Sequence, residues 1–358
     1  MSGSIRWPMI AALAIAIAGC GGGGGRSSPP PPSSEGLWVP NFATSNIVEF
    51  DAQERAHSGE PTPALTNTST SLGDPDGVTF DESKNMWVTN CEDPVTLYGT
   101  ITAFSHQQLE QLRTSPAPAP LVTLSDDGNG DIFECPYGAD FDQAGNLWTV
   151  NRYLRNLIEF TPAQLAAGGV QFPNTQITST DFDTPLGSNF DKADTIWMTD
   201  FAQDEIYGFT AASLTAASGT IALLTPDIIN SSASLLGPSA IAFDAAGNQW
   251  VANCLGPTVT EFAPPTASGS PTPLVVIAST PVTTPSGSAP SLACPEGLAF
   301  DHNGNLWVSN ATSDNAGSIA EFSLAQLAAS GSPVPAVFLD SNSAATNISQ
   351  PVLVSFGP

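Results

Sequence analysis

Two acidic residues occupy equivalent positions in a short segment that recurs along the chain, and they are the residues best suited to chemistry. Asp76 lies in Pro-Asp-Gly at 75–77, and Glu296 lies in Pro-Glu-Gly at 295–297. Carboxylate oxygens are the ligands that a hard cation such as Ca²⁺ prefers. We therefore treat Asp76 and Glu296 as candidate ligands of Ca²⁺ or another divalent cation. The alternative, which the acidic composition favours, is two solvated acids without a ligand.

The middle residue of this Pro-x-Gly segment differs from copy to copy. The other occupants are Tyr137, Leu186, Ser239 and, in a last copy near the C-terminus, Val352. A position that varies within a repeated scaffold is typical of a site added to that scaffold. Asp76, Tyr137 and Glu296 are therefore the predicted core of a ligand-binding face.

A second set of polar residues ends another recurring segment, in which a tryptophan is the second residue. The set consists of Asn41, Asn90, Asn151, Asp200, Asn253 and Asn310. Because every copy carries one, a structural role is favoured, in which each side chain hydrogen-bonds the backbone of its own turn. We also expect these residues at the same face as Asp76 and Glu296, so they are kept as candidate ligand-binding residues. Asn41, Asn90 or Asn310 would supply further oxygens to a cation there.

The segments that carry these residues are strands of a repeat. Successive tryptophans from Trp38 to Trp307 lie 49 to 61 residues apart. Before each of the last five tryptophans stands a strand that ends in Phe-Asp, and after all six comes a third strand that ends in Phe. A short helical turn, such as 161–165, then leads to a fourth strand, such as 120–124. Four antiparallel strands in about fifty residues predict a propeller blade, with the tryptophans packed between blades.

The two ends of the repeat region complete one blade. The region starts on a tryptophan strand, at Leu37, without the strand that should precede it. Residues 351–356 (PVLVSF) match that missing strand and align with 136–141. The sequence therefore predicts an all-β fold at 36–358, a six-bladed β-propeller of four-stranded antiparallel blades, closed by the C-terminal strand pairing into the N-terminal blade. Such closure leaves no open sheet edge at the seam.

Four cysteines share two contexts. Cys91 and Cys254 directly follow tryptophan strands, whereas Cys135 and Cys294 stand just before a Pro-x-Gly segment. Each such pair meets at a boundary between blades, which predicts disulfides Cys91–Cys135 and Cys254–Cys294, each worth roughly 3–4 kcal/mol. A single four-cysteine zinc site is excluded because the two pairs lie on opposite sides of the ring. Reduced, unpaired cysteines are the remaining alternative.

The first 35 residues are predicted to be a signal and a tether. Arg6 precedes an apolar run at 8–19, too short to span a bilayer but typical of a signal peptide. The run ends in Ile-Ala-Gly-Cys, which resembles a bacterial lipobox, so residues 1–19 are a predicted lipoprotein signal and Cys20 the lipidated residue. An ordinary signal peptide is the alternative. Residues 20–35 form a Gly-, Pro- and Ser-rich tether.

Composition limits the partners. The chain has 8 Lys and Arg against 34 Asp and Glu, a formal net charge of −26. Nucleic acid is excluded as a ligand, because its binding needs a basic surface. We expect a monomer in the bacterial cell envelope, held to the lipid bilayer through acylated Cys20 at the outer membrane or cell surface. Its ligand would be a small molecule, a glycan or a protein.

The blade pattern P-x-G-x-x-F-D-x-x-G-N-L-W-V-x-N, followed by I-x-E-F, resembles that of NHL-repeat and gluconolactonase/regucalcin-like (TolB-like) six-bladed propellers. The resemblance covers 37–356. It implies, for the lactonases, a divalent metal held by a Glu near the first blade, an Asn in a Pro-Asn-Gly segment and a later Asp. No Pro-Asn-Gly segment occurs here, so only Glu296 and Asp76 match in part.

Two further groups are similar in blade pattern. Amidating lyases of this fold use a histidine-bound zinc, but His57, His106 and His302 fall on separate connections. Virginiamycin B lyase-like propellers are also similar, yet no catalytic set can be matched, and the chain has no G-x-S-x-G motif. The leading hypothesis is a non-catalytic binding scaffold. The alternative is a metal-dependent lactonase-like hydrolase or a lyase at the channel mouth.

Overall fold

The computed structural model describes residues 35–92, 98–285, 287–312, 316–341 and 347–358. Six mostly antiparallel sheets, one for each copy of the repeat, form a six-bladed β-propeller. This confirms the predicted fold. We number the blades 1 to 6 from the N-terminus. Within a blade we call the strands, from the axis outwards, the inner, Trp, third and outer strands. Among the described residues, no helix is long and apolar enough to cross a membrane.

The strand bounds follow the predicted repeat. The inner strands of blades 1 to 6 are Ser355–Gly357, Pro75–Phe80, Pro136–Phe141, Pro185–Phe190, Pro238–Phe243 and Pro295–Phe300. The Trp strands are Gly36–Asn41, Met86–Asn90, Leu147–Asn151, Ile196–Asp200, Gln249–Asn253 and Leu306–Ala311. The third strands are Asn46–Phe50, Thr100–Phe104, Asn156–Phe160, Glu205–Phe209, Thr258–Phe262 and Gly317–Phe322. The outer strands are Leu65–Asn67, Val122–Ser125, Thr175–Thr178, Ile228–Asn230, Val275–Ala278 and Val337–Asp340.

Short helices follow the third strands of five blades, as the sequence predicts. The α-helices are His106–Gln111, Pro162–Ala167 and Ala211–Ala217, and the 3₁₀-helices are Glu54–Ala56 and Gln326–Ala328. A further 3₁₀-helix, Phe42–Thr44, joins the Trp strand of blade 1 to its third strand. The helix expected at 161–165 begins at Pro162, because Thr161 is its N-cap and pairs with Gln164 in a capping box. A further hairpin of Pro281–Thr284 and Gly287–Pro290, between blades 5 and 6, was not predicted.

The C-terminal strand closes the ring in the predicted place. Ser355–Gly357 pairs antiparallel with 36–38, and Pro351 forms an isolated bridge to Asn41. The regular ladder is shorter than the predicted 351–356. Before this ladder the strand also bonds to blade 2, because the N–H of Leu353 donates to the carbonyl of Asp76.

The outer edges of the blades are covered by connecting segments, an arrangement that the sequence did not predict. The connection after each third strand reaches the outer edge of the preceding blade. In blades 2 and 3 this adds a fifth, parallel strand, Gly169–Val170 and Ile221–Leu223 respectively. In the other blades it makes single bridges or bonds, such as Gly59 to Leu339. Edge backbone groups that would otherwise be open to another chain are thereby paired.

An aspartate links the turn of each inner hairpin to the tryptophan of the next strand. In blade 2, Oδ1 of Asp81 accepts the backbone N–H of Asn85, and Oδ2 accepts the indole N–H of Trp87 at 3.0 Å. The equivalent pairs are Asp142–Trp148, Asp191–Trp197, Asp244–Trp250 and Asp301–Trp307. The indole rings pack on the inner-strand phenylalanine of the following blade, as Trp87 does on Phe141 with centroids 6.0 Å apart. The prediction that the tryptophans lie between blades is confirmed.

Replacing one of these aspartates should destabilise the whole ring. We expect Asp81→Ala to lower the free energy of unfolding by about 2 to 4 kcal/mol, because a buried indole donor and a turn lose a charged acceptor together. Urea unfolding followed by fluorescence measures the change. Glu82→Ala, an exposed acid in the same hairpin, is the matched control and should change stability little. Equal effects of the two substitutions would contradict a special role for Asp81.

Candidate functional site

The predicted channel mouth is filled by side chains. Tyr137 and Leu186, the middle residues of two Pro-x-Gly segments, form one buried cluster with Val352 of the equivalent C-terminal copy, and Phe42 and Phe201 pack against it. Asp76 and Ser239, from two other copies, are also buried, at 2% and 0% exposure. This end of the channel is therefore closed by the residues that the sequence proposed as a ligand-binding face.

A hydrogen-bonded acid lies at the closed end. The phenol of Tyr137 donates to Oε2 of Glu296 at 3.1 Å, which joins blades 3 and 6 across the axis. Burial raises the pKa of Glu296 to about 7, although Tyr137 and the Arg152 guanidinium both favour its carboxylate. Burial also raises the pKa of Asp76 well above its usual range, with Arg152 opposing the shift and Glu296 adding to it. Both carboxyl groups therefore retain their protons to higher pH than exposed acids do.

Both predicted disulfides are present, and each contacts one of these acids. Cys91 is bonded to Cys135 and Cys254 to Cys294, which confirms the pairing. Oδ2 of Asp76 lies 3.5 Å from Sγ of Cys135. Oε1 of Glu296 lies 3.0 Å from Sγ of Cys294. The bridges fix the segments that carry the two acids.

The proposed cation site at the mouth lacks a common centre among the described residues. Asp76 groups with Cys91 and Cys135, and Glu296 groups with Cys254 and Cys294, but no group of three described ligands contains both acids. Metal-binding cysteine is a thiolate, and these sulfurs are bonded to one another. Neither group offers three free ligands while its disulfide is intact.

The Asn and Asp residues that end the Trp strands turn away from the channel. All six are fully buried. Five accept a backbone N–H from the segment just before the inner strand of their own blade, as Asn90 does from Gly73 and Asn253 from Leu236. Asn151 differs, because it donates to the carbonyl of Ile132 and its Oδ1 has no partner. These bonds hold the loop that sets each inner strand and leave the side chains inaccessible to a ligand.

One histidine and one further acidic group lie apart from the mouth. His302 is 3.3 Å from Glu35 at the hairpin end of blade 6, and none of the candidate metal groups among the described residues includes a histidine. One acidic group that the sequence reasoning missed, Asp126 with Asp127 and Asp131, lies in a loop before blade 3. Asp126 there accepts backbone N–H groups from 128, 130, 132 and 133, so its oxygens hold the loop.

The open part of the channel is an axial cavity of about 500 Å³. It begins below the mouth cluster and reaches the opposite, hairpin end of the ring, where Lys192 and Phe300 line it. Sequence reasoning placed the site at the other end, since it could not show that the Pro-x-Gly side chains meet across the axis. The only available signal was the alternation of side chains along the inner strands. This alternation does not show how wide the channel is or which side chains meet across it.

Polar inner-strand groups line this axial cavity. Thr79, Asn189 and Ser355 contribute to its wall. Ser188 also belongs to this wall, but its hydroxyl oxygen is buried beside Gly138 of blade 3 without a hydrogen-bond partner. Asp140 bridges two blades, because its carboxylate accepts the N–H of Phe141 at 2.8 Å and that of Phe190 in blade 4 at 2.9 Å. Burial raises the pKa of Asp140 to about 6. The cavity wall thus combines hydroxyl, amide and carboxyl groups.

Comparisons with known proteins identify the fold alone. No family profile and no curated protein match the chain. A protein of unknown function from Bacteroides caccae is similar in structure, with a TM-score of 0.56 and 10% identity over 91% of this chain and 99% of that one. A protein from Lactobacillus plantarum has a TM-score of 0.53 and 12% identity over 90% and 99%. A 6-phosphogluconolactonase candidate from Bacteroides uniformis has a TM-score of 0.51 and 16% identity, also over 90% and 99%.

The half-buried acid at the mouth, Glu296, predicts a pH-dependent stability. An unfolded chain releases this proton near pH 4.5, whereas the folded protein holds it to about pH 7, so stability falls as the pH rises through that window. We expect Glu296→Gln to be more stable relative to wild type at pH 8 than at pH 4.5, by about 1 to 3 kcal/mol. Urea unfolding at both pH values measures the difference.

Tyr137→Phe is the companion variant for this test. It removes the hydrogen bond that favours the Glu296 carboxylate, so the fall in stability between pH 4.5 and 8 should become steeper than in wild type. If Glu296→Gln and wild type lose stability in parallel over this range, the acid does not carry the effect.

Proposed function

We propose that the protein is a binding propeller that takes a small, uncharged, polyhydroxylated ligand, a mono- or oligosaccharide, into the axial cavity. The observation that carries the proposal is a blind-ended polar channel of about 500 Å³, within the range of small-molecule sites. A sugar hydroxyl both donates and accepts, so it suits the hydroxyls of Thr79 and Ser355 and the amide of Asn189, which belong to the cavity wall.

Charge supports an uncharged ligand. The net charge of −26 opposes the approach of anions. Among the described lining residues Lys192 is the one cation, and one of its donors is bonded to the carbonyl of Ala245 at 2.6 Å. The acids Glu35, Asp140 and Asp244 also line the cavity, so its walls favour a neutral ligand over a phosphate or a carboxylate. This keeps the binding function predicted from the sequence and moves its site to the opposite end of the channel.

The alternative of a metal-dependent lactonase-like hydrolase or a lyase gains no support from the geometry. It needs Asp76 and Glu296 at one metal, whereas the former contacts Cys135 and the latter is bonded to Tyr137. The B. uniformis lactonase candidate is similar at only 16% identity, a level that shows the fold and no activity.

Blocking the axial cavity should abolish sugar binding. The probes are a microarray of mono- to hexasaccharides, followed by calorimetric titration with the sugars retained. We expect Asn189→Leu to weaken binding at least about tenfold, because an apolar side chain would replace an amide of the cavity wall, and Asn189→Ala to weaken it less. Glu296→Gln, at the closed end, is the control and should bind as wild type does. Binding that survives Asn189→Leu, or a blank array with folded protein, would overturn the proposal.

We also propose that the propeller is held at the bacterial envelope by a lipid on Cys20. This residue and the tether at 20–34 lie outside the described residues, so the proposal is supported by the sequence alone. In a bacterial host fed labelled palmitate, wild type should incorporate the label and fractionate with membranes. Cys20→Ser should lose both properties, while Cys91→Ser, a control for a general cysteine effect, should keep the label. Label on Cys20→Ser would refute the anchor.

A further inference from the structure

A surface cleft lies between blades 2 and 3 at the hairpin end of the ring, outside the axial channel. Its volume is about 600 Å³, a size typical of small-molecule sites. The inner hairpins of the two blades and the helix Pro162–Ala167 line this 2/3 cleft, together with Leu121 and Val122 of blade 2. The described residues around it are all different from those that line the axial cavity, so the two spaces are separate.

The apolar part of the 2/3 cleft is accessible. Leu121 is 56% exposed, and Val122 and Phe141 are half-buried. The ring of Phe141 is held by Trp87, whose centroid lies 6.0 Å away. Transfer of an apolar group from water onto such a surface is favourable. An aromatic or alkyl group of a ligand can therefore be buried here while the packed core beneath stays in place.

The charged residues that line the 2/3 cleft are all acidic. Asp81 and Glu82 lie in the hairpin of blade 2, and Asp142 lies in that of blade 3. The hydrogen bonds that Asp81 and Asp142 accept come from neutral donors, such as the amide of Asn146 and the indole of Trp148. The ion pairs formed by the described residues include none of the three acids. Because no cation compensates these charges, the cleft attracts a positively charged group.

We propose that the 2/3 cleft binds a hydrophobic amine, an arylalkyl ammonium ion. Its aromatic group packs on Leu121, Val122 and Phe141, and its ammonium group lies among the carboxylates at the two hairpins. The volume of about 600 Å³ accommodates an aromatic ring with a short alkyl chain. A neutral apolar molecule is the competing occupant. It would bury the same apolar surface, but it would gain nothing from the three acids.

A cleft at the equivalent position between blades 5 and 6 provides an internal comparison. Its volume is about 570 Å³, and it is lined by the same pairing of tryptophan and phenylalanine. The exposed acid is missing, because Ala245 stands at the position of Glu82. His302, which can itself become a cation, stands at the position of Gln143. Glu261 also lines this 5/6 cleft, but burial raises the pKa of this acid. The 5/6 cleft therefore has a similar volume and a weaker attraction for an ammonium group.

The test is a calorimetric titration of the intact propeller with three indoles that differ in charge. The probes are tryptamine, its neutral alcohol analogue tryptophol and the anion indole-3-propionate. We expect tryptamine to bind at least about tenfold more tightly than tryptophol, and indole-3-propionate to bind most weakly. Raising sodium chloride from about 0.05 to 0.5 M should reduce this preference, because salt screens the acids. Equal affinities for tryptamine and tryptophol, or no tryptamine binding by the folded protein, would overturn the proposal.

A matched pair of variants locates the site. Ala166→Trp fills the 2/3 cleft and should weaken tryptamine binding at least about tenfold, whereas Ala328→Trp changes the equivalent position of the 5/6 cleft and should bind as wild type does. Both alanines are exposed, so urea unfolding should change little. Tryptamine binding that survives Ala166→Trp, or that both variants weaken equally, would contradict the assignment.

Two further variants separate charge from shape and this site from the axial cavity. Glu82→Gln keeps the size of the side chain and removes one charge, so it should weaken tryptamine binding about threefold and leave tryptophol binding unchanged. A tryptamine affinity that Glu82→Gln leaves as in wild type would contradict a role for the acid. Asn189→Leu, in the axial cavity, should bind tryptamine as wild type does, so the result is independent of sugar binding. Loss of tryptamine binding in Asn189→Leu would move the amine to the axial cavity and refute the proposal.

Discussion

The structure depends on an aspartate carboxylate that hydrogen-bonds two groups at once, the hairpin turn after an inner strand and the tryptophan of the next strand. Where an inner strand ends, one oxygen of an aspartate takes the backbone N–H groups of the hairpin turn, and the other takes the indole N–H six residues later, as in Asp191 and Trp197. This bond fixes the tryptophan ring against the phenylalanine of the next blade. A contact of short sequence range thereby sets the spacing between blades, and its repetition allows the ring to close.

The seam between blades 6 and 1 has a contact of its own in addition to the bond of Trp307 to Asp301. In blade 1, Gly357 stands at the aspartate position, so Trp38 lacks such a bond. The guanidinium of Arg55 lies 5.3 Å from the ring centroid of Trp307 and 4.8 Å from that of Phe356, and it donates to the carbonyls of Phe50 and Glu35. The C-terminal strand is therefore locked by stacking and backbone bonds. The unpaired indole of Trp38 is the consequence of closing a ring with a strand that ends in glycine.

The two ends of the channel have different roles because of what the inner strands carry. At the loop end, Tyr137 and Leu186 pack with Val352 across the axis, and two disulfides hold the segments of Asp76 and Glu296 in place. At the hairpin end the same strands line an open cavity with small and polar residues, such as Thr79 and Asn189. The closed end stabilises the ring, and the open end is the place available to a ligand.

The sequence by itself determined the six blades, the completion of blade 1 by the C-terminal strand and both disulfides. Each of these follows from the order of repeated segments, which is local and periodic. Only the tertiary structure decided that Asn41 and its equivalents hold loops, that Asp76 and Glu296 lie in a packed mouth, and that the outer edges are covered by connections of the next blade. These features depend on distances across the ring, and residues 50 to 160 apart in the chain, such as Tyr137 and Glu296, leave no periodic trace of meeting.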